Sequence, residues 1–364
     1  MYDMQKILDG YGSIRSVLCE IGSKRPMLVC DSSFRNLPIR DSFNPTVTFD
    51  QFSPNPLYEQ VCAGVELFNA NDCDAIVAIG GGSTIDVAKC IKLYCRMDAA
   101  RNYLEQECTD SGVPLIAVPT TAGTGSESTR YAVIYYEGKK QSVTHRSIIP
   151  DFAVLEPLFL KTLPLYQKKC TMLDALCQGI ESAWCVNSTD ESMEFSKMAI
   201  QMILNHWHGY ITSDCESDAK EIMIAANFAG RAINITQTTA PHAMSYKLTS
   251  MYGVPHGHAV ALCLPEVWQY MLEHPENCAD PRGVAHLTSV FESLARIMGC
   301  DSPEKALVLF REILSALDLP RPRCSNRDEE LELLAASVNP VRLKNNPVPI
   351  PGGMIRQIYE TILR

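Results

Sequence analysis

Three of the chain's eight histidines, His242, His256 and His258, fall in one stretch, TTAPHAMSYKLTSMYGVPHGHAVAL, running from Thr238 to Leu262. Imidazole moves protons near neutral pH and ligates metals. His242 and Tyr246 stand at i and i+4, which puts them on one face of a helix. His256 follows Pro255, where a further helix would begin. Upstream, CTMLDALCQGIESAW reads as a helix with Asp174, Gln178 and Glu181 on one face, inside an otherwise apolar stripe. A carboxylate there is costly unless it is paired or coordinated. One aspartate with His242 and His256 gives a divalent ion three ligands and leaves a position open, the pattern of a catalytic site. His206, His208, His274 and His286 lack such company and read as ordinary core or surface residues.

A second chemistry lies in the first half. AIVAIGGGSTIDVAKC delivers three glycines from a strand into a helix expected to begin at Ser83-Thr84. Glycine lets backbone N–H groups approach a phosphate, and a helix N-terminus favours the anion. Ser83 can cap that helix or bond a phosphate oxygen. An ordinary tight strand–helix turn would look similar. A second loop, VPTTAGTGSESTRYAV, follows another strand and offers Thr120, Thr121, Thr124, Ser126, Ser128 and Thr129. Hydroxyl-rich loops at the carboxyl ends of parallel strands are where such sheets bind ligands. Asp31 ends the strand PMLVCD. It can bond the ribose hydroxyls of NAD and repel the extra phosphate of NADP, or it can cap a turn.

These residues need a scaffold, and the patterning supplies one. The first 150 or so residues alternate apolar runs (RPMLVCD, CDAIVAIG, VPLIAVP, DFAVLEP) with helical segments (YEQVCAGVELFNAND, STIDVAKCIKLYC), as βαβ units and a mostly parallel sheet require. YAVIYYEGKKQSVTHR predicts a hairpin turning at Glu137-Gly138-Lys139. Beyond Pro157 helical periodicity dominates, over 165–186, 191–211, 217–237, 240–251, 258–273, 283–298, 302–317, 327–337 and 351–363. The expected division is an α/β domain over 1–155 and a helical domain over 156–364. With 364 residues the chain is long enough for two domains. Its formal charge of -10 argues against general nucleic-acid binding. The 15 cysteines are scattered, without a C-x-x-C pair, and read as reduced thiols. No apolar run approaches the length of a membrane span, and no signal-peptide pattern opens the chain. A soluble, cytoplasmic protein is expected.

GGGSTIDVAK, PTTAGTGSE, DALCQGIES and PHAMSYKLTSMYGVPHG together resemble the iron-containing, group III alcohol dehydrogenases over essentially the whole chain. The resemblance implies a dehydroquinate synthase-like architecture: a dinucleotide-binding α/β domain, then an all-α domain, with the active site in the cleft between. It implies exchange of aldehyde and alcohol with NADH, NADPH being less favoured. It places Gly81, Gly82 and Ser83 on the pyrophosphate, Thr120, Thr121 and Thr124 along the cofactor, Asp31 on the adenosine ribose and Lys140 against the cofactor. It makes Asp174, His242 and His256 metal ligands, for iron or zinc. Two positions depart from the family. The second ligand, a histidine there, is Gln178, a weaker carbonyl donor. A further family histidine is Tyr246. Related glycerol dehydrogenases hold zinc with one Asp and two His, so three ligands suffice. Without a metal, His256 or Tyr246 would polarise the carbonyl. A proton would come through water or from Tyr246 or His258. The resemblance also implies a homo-oligomer.

AGRAINITQTTAPHAMSY replaces a glycine-rich family segment with Thr236, Gln237, Thr238 and Thr239, just before His242. Polar donors there suit an anionic substrate, with Thr238, Thr239, Arg231 and Lys247, or Arg130, as its contacts. The segment is similar to the branch that reduces phosphonoacetaldehyde. The alternatives are a general short-chain alcohol dehydrogenase, a reductase of another anionic aldehyde, a dehydroquinate-synthase-like lyase and a non-catalytic nucleotide-binding protein.

Overall fold

The computed structural model describes residues 5–41, 43–213 and 215–364. Its first part alternates strands with helices. β1 (Lys6–Asp9) leads through α1 (Ser13–Glu20) to β2 (Pro26–Cys30) and β3 (Val47–Phe49). α2 (Tyr58–Ala70) precedes β4 (Ala75–Gly80), and α3 (Gly82–Tyr94) precedes β5 (Leu115–Pro119). β6 (Tyr131–Tyr136) and β7 (Lys139–Thr144) form an antiparallel hairpin, and β8 (Phe152–Leu155) returns to the main sheet. The hairpin turns at Glu137 and Gly138, with φ 49° and 71°, the double left-handed geometry that matches strand twist.

The main sheet has six strands in the order β1-β8-β5-β4-β2-β3, every neighbouring pair parallel. Parallel sheets are covered on both faces, which is why β2, β4 and β5 are apolar runs buried at every residue. Side chains alternate between the faces. Met27, Val29, Ile76 and Ala78 pack with Val61 and Val65 of α2 and Ile85 and Ile91 of α3. Leu28, Cys30, Val77 and Ile79 pack with Ile14 and Val17 of α1.

The rest is helical: α4 (Leu165–Trp184), α5 (Asp190–Thr212), α6 (Glu216–Thr236), α7 (Ala240–Tyr252), α8 (His256–Glu273), α9 (Val284–Ile297), α10 (Pro303–Leu317), α11 (Arg327–Ser337), α12 (Pro340–Leu343) and α13 (Gly352–Ile362). Periodicity anticipates all but the short α12, with ends displaced by a residue or two.

The chain forms two compact units. One ends at Leu163 and takes in the first part of α6, up to Gly230; the other comprises Pro164–Ser213 and Arg231–Arg364. Side chains explain why most of α6 joins the first unit. Asn227 Nδ2 donates to Glu127 Oε1 (3.2 Å) and Ser128 Oγ (2.6 Å), and Lys220 pairs with Asp9 at 2.5 Å.

Candidate active site

In the first unit, three adjacent strand ends build one polar edge. β2 pairs with β4 and β4 with β5, with Gly80 opposite Pro119. Their carboxyl ends therefore carry Asp31, the Gly81–Ser83 turn and the Thr120–Thr124 loop side by side. Thr120 N donates to Gly80 O at 3.0 Å, joining the two loops. A Cβ added to Gly82 would meet the Thr124 side chain at 3.0 Å, so the second loop lies directly against the start of α3. The helix begins at Gly82, one residue earlier than expected. Gly81 is its N-cap and no side chain caps it, so the Ser83 hydroxyl is not the cap. The first N–H groups of α3 are thus left for an anion. Asp31 does cap a turn, accepting from Ser33 N at 2.8 Å, and its other oxygen accepts from the Thr84 hydroxyl at 3.1 Å.

Sequence reasoning passed over what pins the second loop. Lys89 is fully buried on α3. Its ammonium donates to Ser126 Oγ (3.0 Å), Thr129 Oγ1 (3.1 Å) and Tyr131 O (2.8 Å). Ser126 donates in turn to Asp86 Oδ1 at 2.7 Å, and Asp86 Oδ2 accepts from Val133 N at 2.9 Å. Burial, only partly offset by Asp86 and Glu127, pulls the lysine down to about 8. Burial pushes Asp86 up against the opposing charges of Lys89 and Lys140. Lys140 lies on β7 opposite Tyr135, within electrostatic reach of that carboxylate.

In the second unit the residues expected to ligate a metal lie close together. α4 places Asp174, Gln178 and Glu181 on a buried face, as its spacing predicts. Gly253 (φ 66°) closes α7, and α8 starts three residues later at His256. A Cβ on Gly257 would lie 2.1 Å from Cys170 O and 2.7 Å from Asp174 Cβ, so only glycine lets α8 approach α4 here. The ligand atoms of Asp174, His242 and His256 all lie within 4.8 Å of one another.

His242 Nε2 and Asp174 Oδ1 are buried and 3.3 Å apart, yet neither makes a hydrogen bond of acceptable geometry. Two ligands about 2.1 Å from a tetrahedral ion stand roughly 3.4 Å apart, so the pair has the span a metal needs. Orphaned buried polar atoms on a carboxylate and an imidazole fit a divalent cation. Gln178 stands one helical turn on from Asp174, on the same buried helix. Burial raises the Asp174 carboxyl, but Gln178, His242 and His256 outweigh it and hold it below its ordinary value. Burial lowers His242, but Glu181 and Asp174 outweigh it and push the imidazole up to about 9.

Each of the two candidate histidine ligands has a neighbour at its Nδ1. His242 Nδ1 contacts Glu181 Oε2. Ser245 Oγ donates to His242 O at 2.8 Å, so at His256 Nδ1, 3.3 Å away, it accepts. The Tyr246 ring stacks on His256, centroids 5.6 Å apart and planes 3° off parallel. His258 is outside this group. It is fully buried, its Nδ1 meets the Tyr166 hydroxyl at 2.9 Å, and burial pulls it down to about 4.

The expected substrate contacts divide. Thr239 is buried and its hydroxyl is committed within the protein. It donates to Glu181 Oε1 (2.9 Å) and accepts from Trp184 Nε1 (3.0 Å). Thr238 is half-exposed, and its carbonyl accepts from Asn345 Nδ2 at 3.0 Å. Gln237 is left-handed (φ 67°), and its Oε1 accepts from the same Asn345 amide at 3.1 Å. Arg231 lies over the Phe195 ring, and Lys247 is half-buried beside Tyr246 on α7. Arg130 stays with Tyr131, its Nε donating to the phenol at 3.2 Å. Among the described residues no helix is long and apolar enough to cross a membrane.

Comparison with known proteins agrees with this geometry. Residues 5–157 match the model of iron-containing alcohol dehydrogenase, and residues 169–363 that of the Fe-containing alcohol dehydrogenase family, C-terminal. The chain is 33% identical over 320 residues to a phosphonoacetaldehyde reductase of Streptomyces viridochromogenes, covering 84% of this chain and 79% of that protein. It is 27% identical over 374 residues to an NAD-dependent methanol dehydrogenase of Bacillus methanolicus, covering 97% of each. The crystal structure of a sulfoacetaldehyde reductase from Bifidobacterium kashiwanohense, in complex with NAD+, superposes with a TM-score of 0.86 at 25% identity, covering 100% of this chain and 98% of that one. The chain belongs to the iron-containing alcohol dehydrogenase family and is an NAD-dependent alcohol and aldehyde oxidoreductase.

Proposed function

We propose that the protein reduces phosphonoacetaldehyde to 2-hydroxyethylphosphonate with NADH. The observation that carries this reading is the polar turn Gln237-Thr238-Thr239, which leads straight into His242. Gln237 holds a left-handed backbone that costs a non-glycine residue about 1 kcal/mol or more, and Asn345 secures it from outside. Thr238 is left half-exposed near His242, with the cationic residues Arg231 and Lys247 on the neighbouring helices. Two of the similar proteins are named for aldehydes that carry an anionic oxyacid group on a two-carbon skeleton.

In this reading Asp31, Gly81–Ser83, Thr120, Thr121, Thr124 and Lys140 hold the dinucleotide. Asp174, His242 and His256 hold a divalent ion, iron or zinc, with Gln178 beside them. A bound ion supplies an electrophile for the aldehyde oxygen, and a bound reduced nicotinamide supplies the hydride. The chain's own part is positional and protonic. Thr238 and a nearby cation fix the anionic end of the substrate, so the carbonyl is oriented without help from the reacting centre. Tyr246, stacked on His256, offers the phenolic proton that the product hydroxyl needs. His258, neutral through burial, holds no spare proton at neutral pH.

NADH consumption with phosphonoacetaldehyde tests this, beside sulfoacetaldehyde, succinic semialdehyde and butyraldehyde at matched concentrations. The expected kcat/KM for the phosphonate exceeds those for the carboxylate and neutral aldehydes by about 100-fold. Equal rates on all four refute the specificity and leave a general aldehyde reductase.

A further inference from the structure

Glu181 takes no part in the ligand set, yet it is fully buried between the helices that carry it. Its Oε1 accepts from Thr239 N (2.9 Å), from Thr239 Oγ1 (2.9 Å) and, at 3.4 Å, from His242 N. These are the open donors at the start of α7, where a carboxylate is favoured. Oε2 then remains for His242 Nδ1, with which it makes a close contact. Trp184, three residues on from Glu181 and in the same helix, donates to Thr239 Oγ1 at 3.0 Å, so the threonine hydroxyl cannot turn away.

We propose that Glu181 is the positioning residue of the metal centre: its one carboxylate fixes both the start of α7 and the tautomer of His242. The inference rests on the metal reading above. A carboxylate has no hydrogen to give, so the His242 nitrogen facing it must carry one. The hydrogen on Nδ1 is the one retained, so Nε2 is the nitrogen left to give its lone pair to an ion shared with Asp174 Oδ1, 3.3 Å away. Partners of this kind on the far nitrogen of a ligating histidine set ring orientation and ligand basicity, typically worth 10–100-fold in metal affinity.

Glu181→Gln separates this role from packing, because the amide has the same shape. Its oxygen is retained by the two backbone donors of α7, where an NH2 group would oppose N–H groups. The NH2 therefore faces His242 Nδ1 and must be accepted there. The ring hydrogen moves to Nε2, onto the atom that ligates. Metal-stripped full-length protein and its E181Q variant would be titrated with Zn2+ against a chromophoric chelator, and the melting of both metal-free forms recorded. The expected result is a Zn2+ Kd raised 10–100-fold in E181Q, with metal-free melting temperatures within a few degrees. Equal Kd values overturn the inference and leave the metal reading standing. A native chain that takes up no Zn2+ overturns both. Should E181Q not fold, imidazole 15N shifts of the zinc-loaded native protein decide the matter. Nδ1 of His242 must report a bound hydrogen and Nε2 none, and the reverse assignment overturns the inference.

Discussion

Gln178 and Tyr246 occupy two positions where the family resemblance leads one to expect imidazoles, and they meet their surroundings differently. Gln178 neighbours Asp174 by one helical turn and helps hold that carboxyl below its ordinary value. The Tyr246 ring stacks parallel to that of His256, with centroids 5.6 Å apart. Tyr246→Phe keeps the stacked ring and removes only the hydroxyl. If the phenol supplies the product proton, kcat falls by about 100-fold, the low end for loss of a general acid. Bound metal and the KM for NADH stay as they are. An unchanged kcat would remove Tyr246 from the proton path. Thr239 is the residue whose role the sequence misassigned by proximity. It precedes His242 by three positions, but its hydroxyl serves Glu181 and Trp184 instead of a substrate.

At the scale of elements, the approach of α8 to α4 decides whether the ligands meet. The Cβ of an alanine at 257 would overlap Cys170 O at 2.1 Å, a backbone atom that cannot swing aside. Gly257→Ala must therefore shift α8 or bend α4. Overpacking of this kind costs about 1–3 kcal/mol. The shift also parts His256 from Asp174, so zinc affinity should fall with stability, as calorimetry and metal titration would record. A variant with native zinc affinity would mean that the helix start can move without the ligand. This contact was not legible in the sequence, where Gly257 is one glycine among several near a proline. The helices themselves were, as long runs without strand alternation bounded by Pro and Gly, although α4 and α8 are buried nearly all round. β1 and β3 escaped notice as short edge strands whose exposed residues blur the alternation, and α1 as a helix of only eight residues. The candidate ligands were legible one helix at a time, Asp174 on α4, His242 on α7 and His256 at the start of α8, as polar residues in apolar surroundings. Glu181 lay on the right face of α4, but its role depends on His242, 61 residues away, and no local pattern carries that.

At the scale of the molecule, the fold tolerates a buried lysine whose ammonium form is disfavoured, and this leaves a mark on the stability of the whole chain. Lys89 titrates at about 8 in the folded protein, through burial, against an ordinary value of 10.5. Between those two pH values the unfolded chain binds more protons at this site than the native one. Stability from Lys89 therefore rises with pH across the window from about 8 to 10.5, and it falls again as pH returns toward 8. Below 8 both states hold the proton and the contribution is flat. The full difference corresponds to about 3 kcal/mol. Other groups also titrate there, so the informative quantity is the difference between the native chain and Lys89→Met, followed by denaturant melts from pH 7 to 10.5. That difference should be constant up to about pH 8 and then shift by roughly 3 kcal/mol in favour of the native chain. The variant also loses the three donor contacts that pin Ser126, Thr129 and Tyr131, so its NADH affinity should be weaker at every pH. A difference that stays constant through pH 10.5 would mean that the ammonium is fully compensated by Asp86 and Glu127, and that the loop is held by an ion pair instead of by a lysine constrained against its own solvation.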